Sequence, residues 1–334
     1  KSGTPNRFYV FNKNTGVTSV GSLPSETIQT PELGTAFLSG VNYVIVAPKA
    51  FAPAVKRLLS HREKQGWRGS AAWLEDIYLV YSGGKQNGPA IKSFLSDVYN
   101  SGGEKLQNVL LFFFFSYDVK GIGGTKPFPG IIPTIESTES LDLDYTHCSD
   151  DDYSQLSVQD QYSAGVGRLP VSNLTEAEGM VDKLINYDLG SDQGDWRSLV
   201  AMIADDGLTS TGDDGDLHTS NAETVASIIP SYLSQRKIYT VSYPSITTSN
   251  GRRKPEAGNA ILDLFNQGSA VVNYSGHGNT KVWTHERVFE IGTFLPRLNN
   301  KNRLPFLITA TCDFGKFDDP DDQSAAELLV THKE

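Results

Sequence analysis

The 334-residue chain has little cysteine, no long apolar stretch and no excess of positive charge. Its two cysteines, Cys148 and Cys312, exclude a disulfide framework and a cysteine-rich zinc site, leaving packed small hydrophobes or a reactive thiol. The longest apolar run, Val109 to Phe115, has seven residues, whereas a helix needs ~20 to cross a bilayer. Lys and Arg number 29 against 39 Asp and Glu, a net charge of −10. No basic field is therefore present to hold a polyphosphate backbone, and nucleic acid is not expected as a partner. P-loop, dinucleotide-binding and Gly-x-Ser-x-Gly signatures are absent as well. The opening Lys1-Ser2-Gly3-Thr4-Pro5 lacks a signal-peptide pattern and reads as a segment trimmed from a longer precursor.

What is present is an alternation of strands and helices. Residues 1–36 mix apolar pairs with Gly, Pro and Asn, and read as the tail of an upstream β-rich region. From 37 to 190 the texture changes to a first α/β subdomain. Tyr43 to Val46 reads as a strand, Pro53 to Gln65 as a helix, Ile77 to Tyr81 as a strand, Ile91 to Tyr99 as a helix and Asn108 to Phe115 as a strand. A second cycle, 191–334, starts at Leu199 to Ile203 and includes helix Ala222 to Leu233, strand Ile238 to Val241 and helix Glu256 to Phe265. Strands Ala270 to Tyr274 and Phe306 to Ala310 complete it. Strands apolar on both faces predict mostly parallel sheets covered on both sides. The helix after Ser324 is followed by no closing strand, so the second subdomain reads as truncated.

Open parallel sheets collect chemistry at the carboxyl ends of their strands. Val271 to Tyr274 runs into Ser275-Gly276-His277-Gly278, which sets His277 on a turn whose flanking glycines allow a close backbone approach. Phe306 to Ala310 runs into Thr311-Cys312-Asp313. Taken singly, a turn histidine and a packed cysteine are the ordinary readings. A thiol and an imidazole at neighbouring strand ends together meet the requirement of a Cys-His nucleophile pair.

These two segments, Val271 to Gly278 and Leu304 to Cys312, resemble the histidine and cysteine motifs of the gingipain family of cysteine peptidases. Gly165 to Val171 and the helix Val181 to Tyr187 are similar to the end of that family's first subdomain, and the likeness runs from about residue 40 onward. The resemblance implies a caspase-like α/β fold of two subdomains, Cys312 as nucleophile and His277 as base. Within the family, Cys312 to Asp318 and the β-rich tail are more similar to the type IX secretion sortase than to the secreted gingipains. That branch implies cleavage of C-terminal secretion signals and transfer of the cargo to a lipopolysaccharide amine. It also implies other outer-membrane secretion components as partners, at the bacterial cell surface. The family pattern further points to Asp150, with Asp151 second, as the acid that orients the imidazole, and to Asp160 as a pocket acid for a basic side chain. One departure stands out: Phe112 to Phe115 followed by Ser116-Tyr117-Asp118 occupies the place where the family carries a Gly-Asp pair.

Read as residues alone, Asp150-Asp151-Asp152 is ordinarily a solvated loop, because like charges prefer water. Asp205-Asp206, Asp213 to Asp216 and Asp318 to Asp322 read chiefly as caps and loops. None matches an EF-hand, yet they leave room for a structural calcium; no cofactor is required and the metal ligands are unknown. Backbone N–H groups of Gly278 and Cys312 are the oxyanion candidates. Trp283 is ordinarily a core residue, but an aromatic wall beside the pair would suit a peptide groove. The leading expectation is thus a cysteine endopeptidase and transpeptidase acting on protein substrates. Its rivals are a secreted gingipain-like protease and a non-catalytic binding module of the same fold, which inertness of Cys312 to alkylation would favour.

Overall fold

In the computed structural model the described residues are 33, 40–101, 106–118, 131–136, 148–158, 162–190, 192–209 and 212–332. Apart from Leu33, the expected β-rich tail lies outside them. The chain runs β1 (Tyr43–Ala47), α1 (Ala52–Lys64), β2 (Gly69–Trp73), α2 (Leu74–Ser82), α3 (Gly88–Ser101) and β3 (Asn108–Phe112). A short antiparallel pair, β4 (Ile135–Glu136) and β5 (Cys148–Ser149), precedes β6 (Gly165–Leu169) and α4 (Leu174–Leu189). Next come β7 (Leu199–Ala204), α5 (Leu217–Ser227), β8 (Ser234–Tyr239), the hairpin β9 (Ile246–Thr248) and β10 (Gly251–Arg253), and α6 (Pro255–Gln267). The last elements are β11 (Val271–Ser275), the pair β12 (Val282–Trp283) and β13 (Phe289–Glu290), α7 (Ile291–Phe294), β14 (Phe306–Ala310) and α8 (Ala325–Thr331).

Two four-stranded parallel sheets organise these elements, ordered β2-β1-β3-β6 and β14-β11-β7-β8. Each has its own core. Val44, Ile45 and Val46 of β1 are fully shielded, as expected of a central strand apolar on both faces. Burying each such side chain contributes about 1.5–3 kcal/mol. In the second sheet one face packs on α6 through Ile261, Leu264 and Phe265, and the other on α5 through Ala222 and Ala226. Helix starts follow local chemistry: Asn173 accepts from the Glu176 N–H at 3.0 Å while the Glu176 carboxylate accepts from the Ser172 N–H at 2.8 Å. Ser324 and Glu327 form a buried capping box at the start of α8. Lys183 of α4 donates to the Leu329 and Val330 carbonyls of α8, each at 3.1 Å, tying the helix after the second sheet to the helix after the first.

One expected strand is a helix. Ile77 to Tyr81 belongs to α2, where Leu74, Ile77 and Tyr78 fall on one helical face and are buried. The strand is instead Gly69 to Trp73, whose small residues carry no apolar signature. A Cβ on Gly69 would lie 2.6 Å from Leu59 Cδ2, so the strand packs closely under α1 there.

Both sheets have the same winding: the first strand of each lies between the second and the third. The crevice such a reversal opens at the carboxyl ends differs between them. In the first sheet it is filled by aromatic rings, with Phe51 at 6.1 Å from Phe112 and 5.2 Å from Phe113 between centroids. In the second sheet it lies beyond β7 and β11 and carries Asp205 and His277.

Candidate active site

Asp205 follows β7 directly and is buried. Its N–H donates to the Ser275 carbonyl at 3.0 Å, and its carboxylate accepts from the N–H groups of Asp206 at 2.8 Å and His277 at 3.2 Å. Burial pushes the Asp205 carboxyl up, backbone donors pull it down, and Glu286 and Asp206 add to the rise, so it stands above its ordinary range. The His277 carbonyl accepts from the Tyr274 hydroxyl at 2.6 Å and from the Thr284 N–H at 2.9 Å. The backbone of His277 is thus held on both sides before its ring does anything.

The flanking glycines are needed for packing. A Cβ on Gly276 would lie 2.5 Å from both Asp205 Cβ and the Tyr274 hydroxyl, and one on Gly278 would lie 2.5 Å from Thr311 Oγ1 and 2.9 Å from the Val282 carbonyl. The close approach expected at this turn is therefore made by the protein's own neighbouring segments. The contact of Gly278 with Thr311 also fixes the relation of the two motifs. Ser275 pairs with Ala310 in register, so His277 and Cys312 each stand two residues beyond matched ends of adjacent strands. Cys312 is exposed and is a free thiol. Asp313 after it adopts the left-handed region at φ 52°, a strained setting for a residue other than glycine.

The ring of His277 is engaged by an acid that sequence reasoning missed. Nε2 lies 2.8 Å from Asp214 Oδ2. Asp214 sits on the loop between β7 and α5, which folds back where the Asp214 N–H donates to the Gly207 carbonyl at 3.1 Å. Gly207 has φ 76°, and a Cβ there would lie 2.9 Å from the Gly215 carbonyl, so the fold-back requires glycine. His218, in the first turn of α5, lies with Nε2 3.6 Å from the same Asp214 oxygen and its ring edge-on to His277 at 4.9 Å. The ring of His285 also lies near that of His277, 5.7 Å between centroids. Behind Asp205, Lys254 Nζ meets Asp206 Oδ2 at 2.7 Å, and Arg252 contacts the buried Glu286. Burial raises the Asp206 carboxyl, but Lys254, the Leu208 N–H and Arg252 together hold it below its usual range.

Three expected site residues stand elsewhere. Asp150 is taken by Arg168 in a two-pronged pair, Nε to Oδ2 at 2.7 Å and Nη2 to Oδ1 at 2.6 Å, at the far edge strand of the first sheet. Arg168 also donates to the Phe113 and Ile132 carbonyls, so Asp150 serves a structural clamp rather than the imidazole. Asp151 opens a 3-10 turn, with its carbonyl accepting from the Ser154 hydroxyl. Trp283 is 0% exposed. It stacks on Tyr274 at 4.2 Å with an interplanar angle of 8°, so it buttresses the residue that holds the His277 carbonyl and lines no groove. Asp160 lies outside the described residues. Of the two groups able to gather a cation among the described residues, the all-carboxylate set Asp205, Asp206 and Glu286 already contains Arg252 and Lys254 as its positive charges.

The model of Peptidase family C25 matches residues 38–334. Gingipain R2 of Porphyromonas gingivalis is 24% identical over 277 residues, 82% of this chain and 32% of that protein. The chain therefore spans about a third of the length of this curated relative. The crystal structure of the Arg specific cysteine proteinase gingipain R (RGPB) matches with a TM-score of 0.65 at 23% identity, covering 88% of this chain and 60% of that one. The two share a fold, the caspase-like α/β arrangement expected from the sequence. The crystal structure of dimeric latent PorU from Porphyromonas gingivalis covers 46% of this chain and 16% of that one with a TM-score of 0.40.

Proposed function

The chain belongs to peptidase family C25, and on that footing we propose that it is a cysteine endopeptidase with Cys312 as nucleophile, His277 as base and Asp214 as the acid that orients the ring. The observation that carries this reading is the 2.8 Å pairing of His277 with Asp214 at a strand end in register with the one that bears Cys312. With Nε2–H donated to Asp214, Nδ1 takes the thiol proton. The thiolate attacks the scissile carbonyl, and the imidazolium then returns the proton to the departing amine, leaving a thioester.

Gly278 faces Trp283 in a bridge whose hydrogen bonds use the His277 carbonyl and the Asn279 N–H. That pattern turns the Gly278 N–H away from the bridge, which supports it, together with the Cys312 N–H, as the donors for the oxyanion. No step calls for a cofactor.

The finer reading is that of the sortase branch, supported by the likeness of Cys312 to Asp318 in sequence. A lipopolysaccharide amine, instead of water, then resolves the thioester of a cargo protein whose C-terminal secretion signal has left. The setting is the outer face of a Gram-negative cell, beside other outer-membrane secretion components, with Asp160 as the pocket acid.

The test is cleavage of a signal-bearing cargo by the wild-type chain, Cys312→Ala, His277→Ala and the double variant, with product masses read with and without added amine. Loss in both single variants with little further loss in the double supports the pair. Turnover by Cys312→Ala overturns it. An amine-bearing product supports transfer, and acid product alone at saturating amine overturns the sortase reading.

A further inference from the structure

The ring cluster around His277 contains more nitrogen and oxygen donors than an acyl-transfer site uses. One ligand atom each from Asp205, His218 and His277 lies within 4.8 Å of the others. His218 Nε2 is shielded from solvent and has no hydrogen-bond partner among the described residues. It lies 3.6 Å from the same Asp214 oxygen that stands 2.8 Å from His277 Nε2. Two imidazoles therefore gather beside the Asp205 carboxylate, and the proposed peptidase mechanism has no task for His218.

We propose that Asp205, His218 and His277 form an inhibitory site for a divalent transition-metal ion of the zinc class. Two imidazole nitrogens and one carboxylate oxygen match a zinc site of three protein ligands that leaves the fourth position to water, whereas calcium and magnesium take oxygen donors almost alone. The hydrogen bonds that Asp205 accepts from Asp206 and His277 leave it lone pairs, since each carboxylate oxygen carries two. On binding, the metal takes the lone pair of the unprotonated nitrogen of each ring, and the ring keeps its other N–H.

The effect on turnover rests on the peptidase reading. A His277 ring bound to metal is pulled out of its pairing with Asp214 and no longer serves as the base for Cys312. Binding itself does not rest on that reading, and is measured without turnover.

The experiment titrates zinc chloride alone into the Cys312→Ala chain by calorimetry, so that the thiol contributes nothing. One site is expected, weakened ~10-fold or more when His218→Ala is added, and not displaced by millimolar calcium. His218→Gln, judged folded by an unchanged melting temperature, guards against a trivial loss of structure and should weaken binding equally. Absence of binding, equal affinity in the folded His218→Gln chain, or displacement by calcium overturns the proposal. Failure of the peptidase reading, seen as turnover by Cys312→Ala, leaves this measurement intact.

Discussion

Asp214 and His277 meet at 2.8 Å across a sequence separation of 63 residues, and the meeting depends on a loop that turns back at Gly207. The acid is therefore supplied by the segment that leaves the first strand of the second sheet, on the other side of the crevice from Cys312. Asp150, the acid suggested by family likeness, is held by Arg168 in the first sheet.

Exchanging the two carboxylates' charges separates their roles. Asp214→Asn should lower kcat/KM on the order of 10²- to 10³-fold, because the ring loses its orienting charge and preferred tautomer, with little change in melting. Asp150→Asn should leave kcat/KM within about twofold and cost about 3–5 kcal/mol, because Arg168 stays buried with its charge uncompensated. Parallel denaturation and rate measurements decide between them, and the reverse pattern would return the catalytic role to Asp150.

Gly278→Ala tests how tightly the two strand ends are fitted. The new methyl group meets Thr311 Oγ1 and the Val282 carbonyl, so the expected cost is about 1–3 kcal/mol of stability. Turnover should fall with it, because His277 and Cys312 are spread apart. A fully stable Gly278→Ala chain would show that the segment beyond β11 yields easily.

Trp283→Ala should destabilise by about 3–5 kcal/mol through the cavity it leaves. Trp283→Phe should keep KM close to that of the wild type. A KM that rises strongly in Trp283→Phe with unchanged melting would instead place the indole against substrate.

Stability should respond to pH through Asp318, which is buried with one carboxylate oxygen lacking a partner among the described residues. Burial raises its carboxyl above the ordinary range despite Lys316 nearby. The folded chain then keeps this proton to higher pH than the unfolded chain, so stability falls as pH rises from the ordinary carboxylate range through the raised value. Asp318→Asn should raise the melting temperature at about pH 7 and lose that advantage at about pH 3, where both forms are neutral. Equal shifts at both pH values would mean that ionisation is not the cause.

The parallel strands were legible because β1, β3, β7 and β11 are apolar runs short enough to be strands. His277 and Cys312 stood out because each follows such a run on a turn of small residues. Asp214 was hidden: its neighbours Asp213 and Asp216 look alike in sequence, and only the backbone reversal at Gly207 distinguishes which carboxylate reaches the ring. Asp150 was misplaced because a run of three acids shows no sign of Arg168, 18 residues on, which binds it. Trp283 follows His277 closely in sequence, yet the bridge between Gly278 and Trp283 turns the chain back on itself and sends the indole under Tyr274. The strand β2 escaped notice because Gly69, Ser70, Ala71 and Ala72 are small residues that leave no apolar period to read.

One winding order is used twice, with the first crevice plugged by Phe51, Phe112 and Phe113 and the second left to polar groups. A saturation scan scored separately for abundance and for turnover would therefore divide along the chain. Substitutions around the aromatic plug would deplete both scores together, as failures of production. Those at the ends of β7, β11 and β14 would include a class that accumulates normally and does nothing, and the ratio of the two scores would trace the outline of the polar strand ends without a ligand.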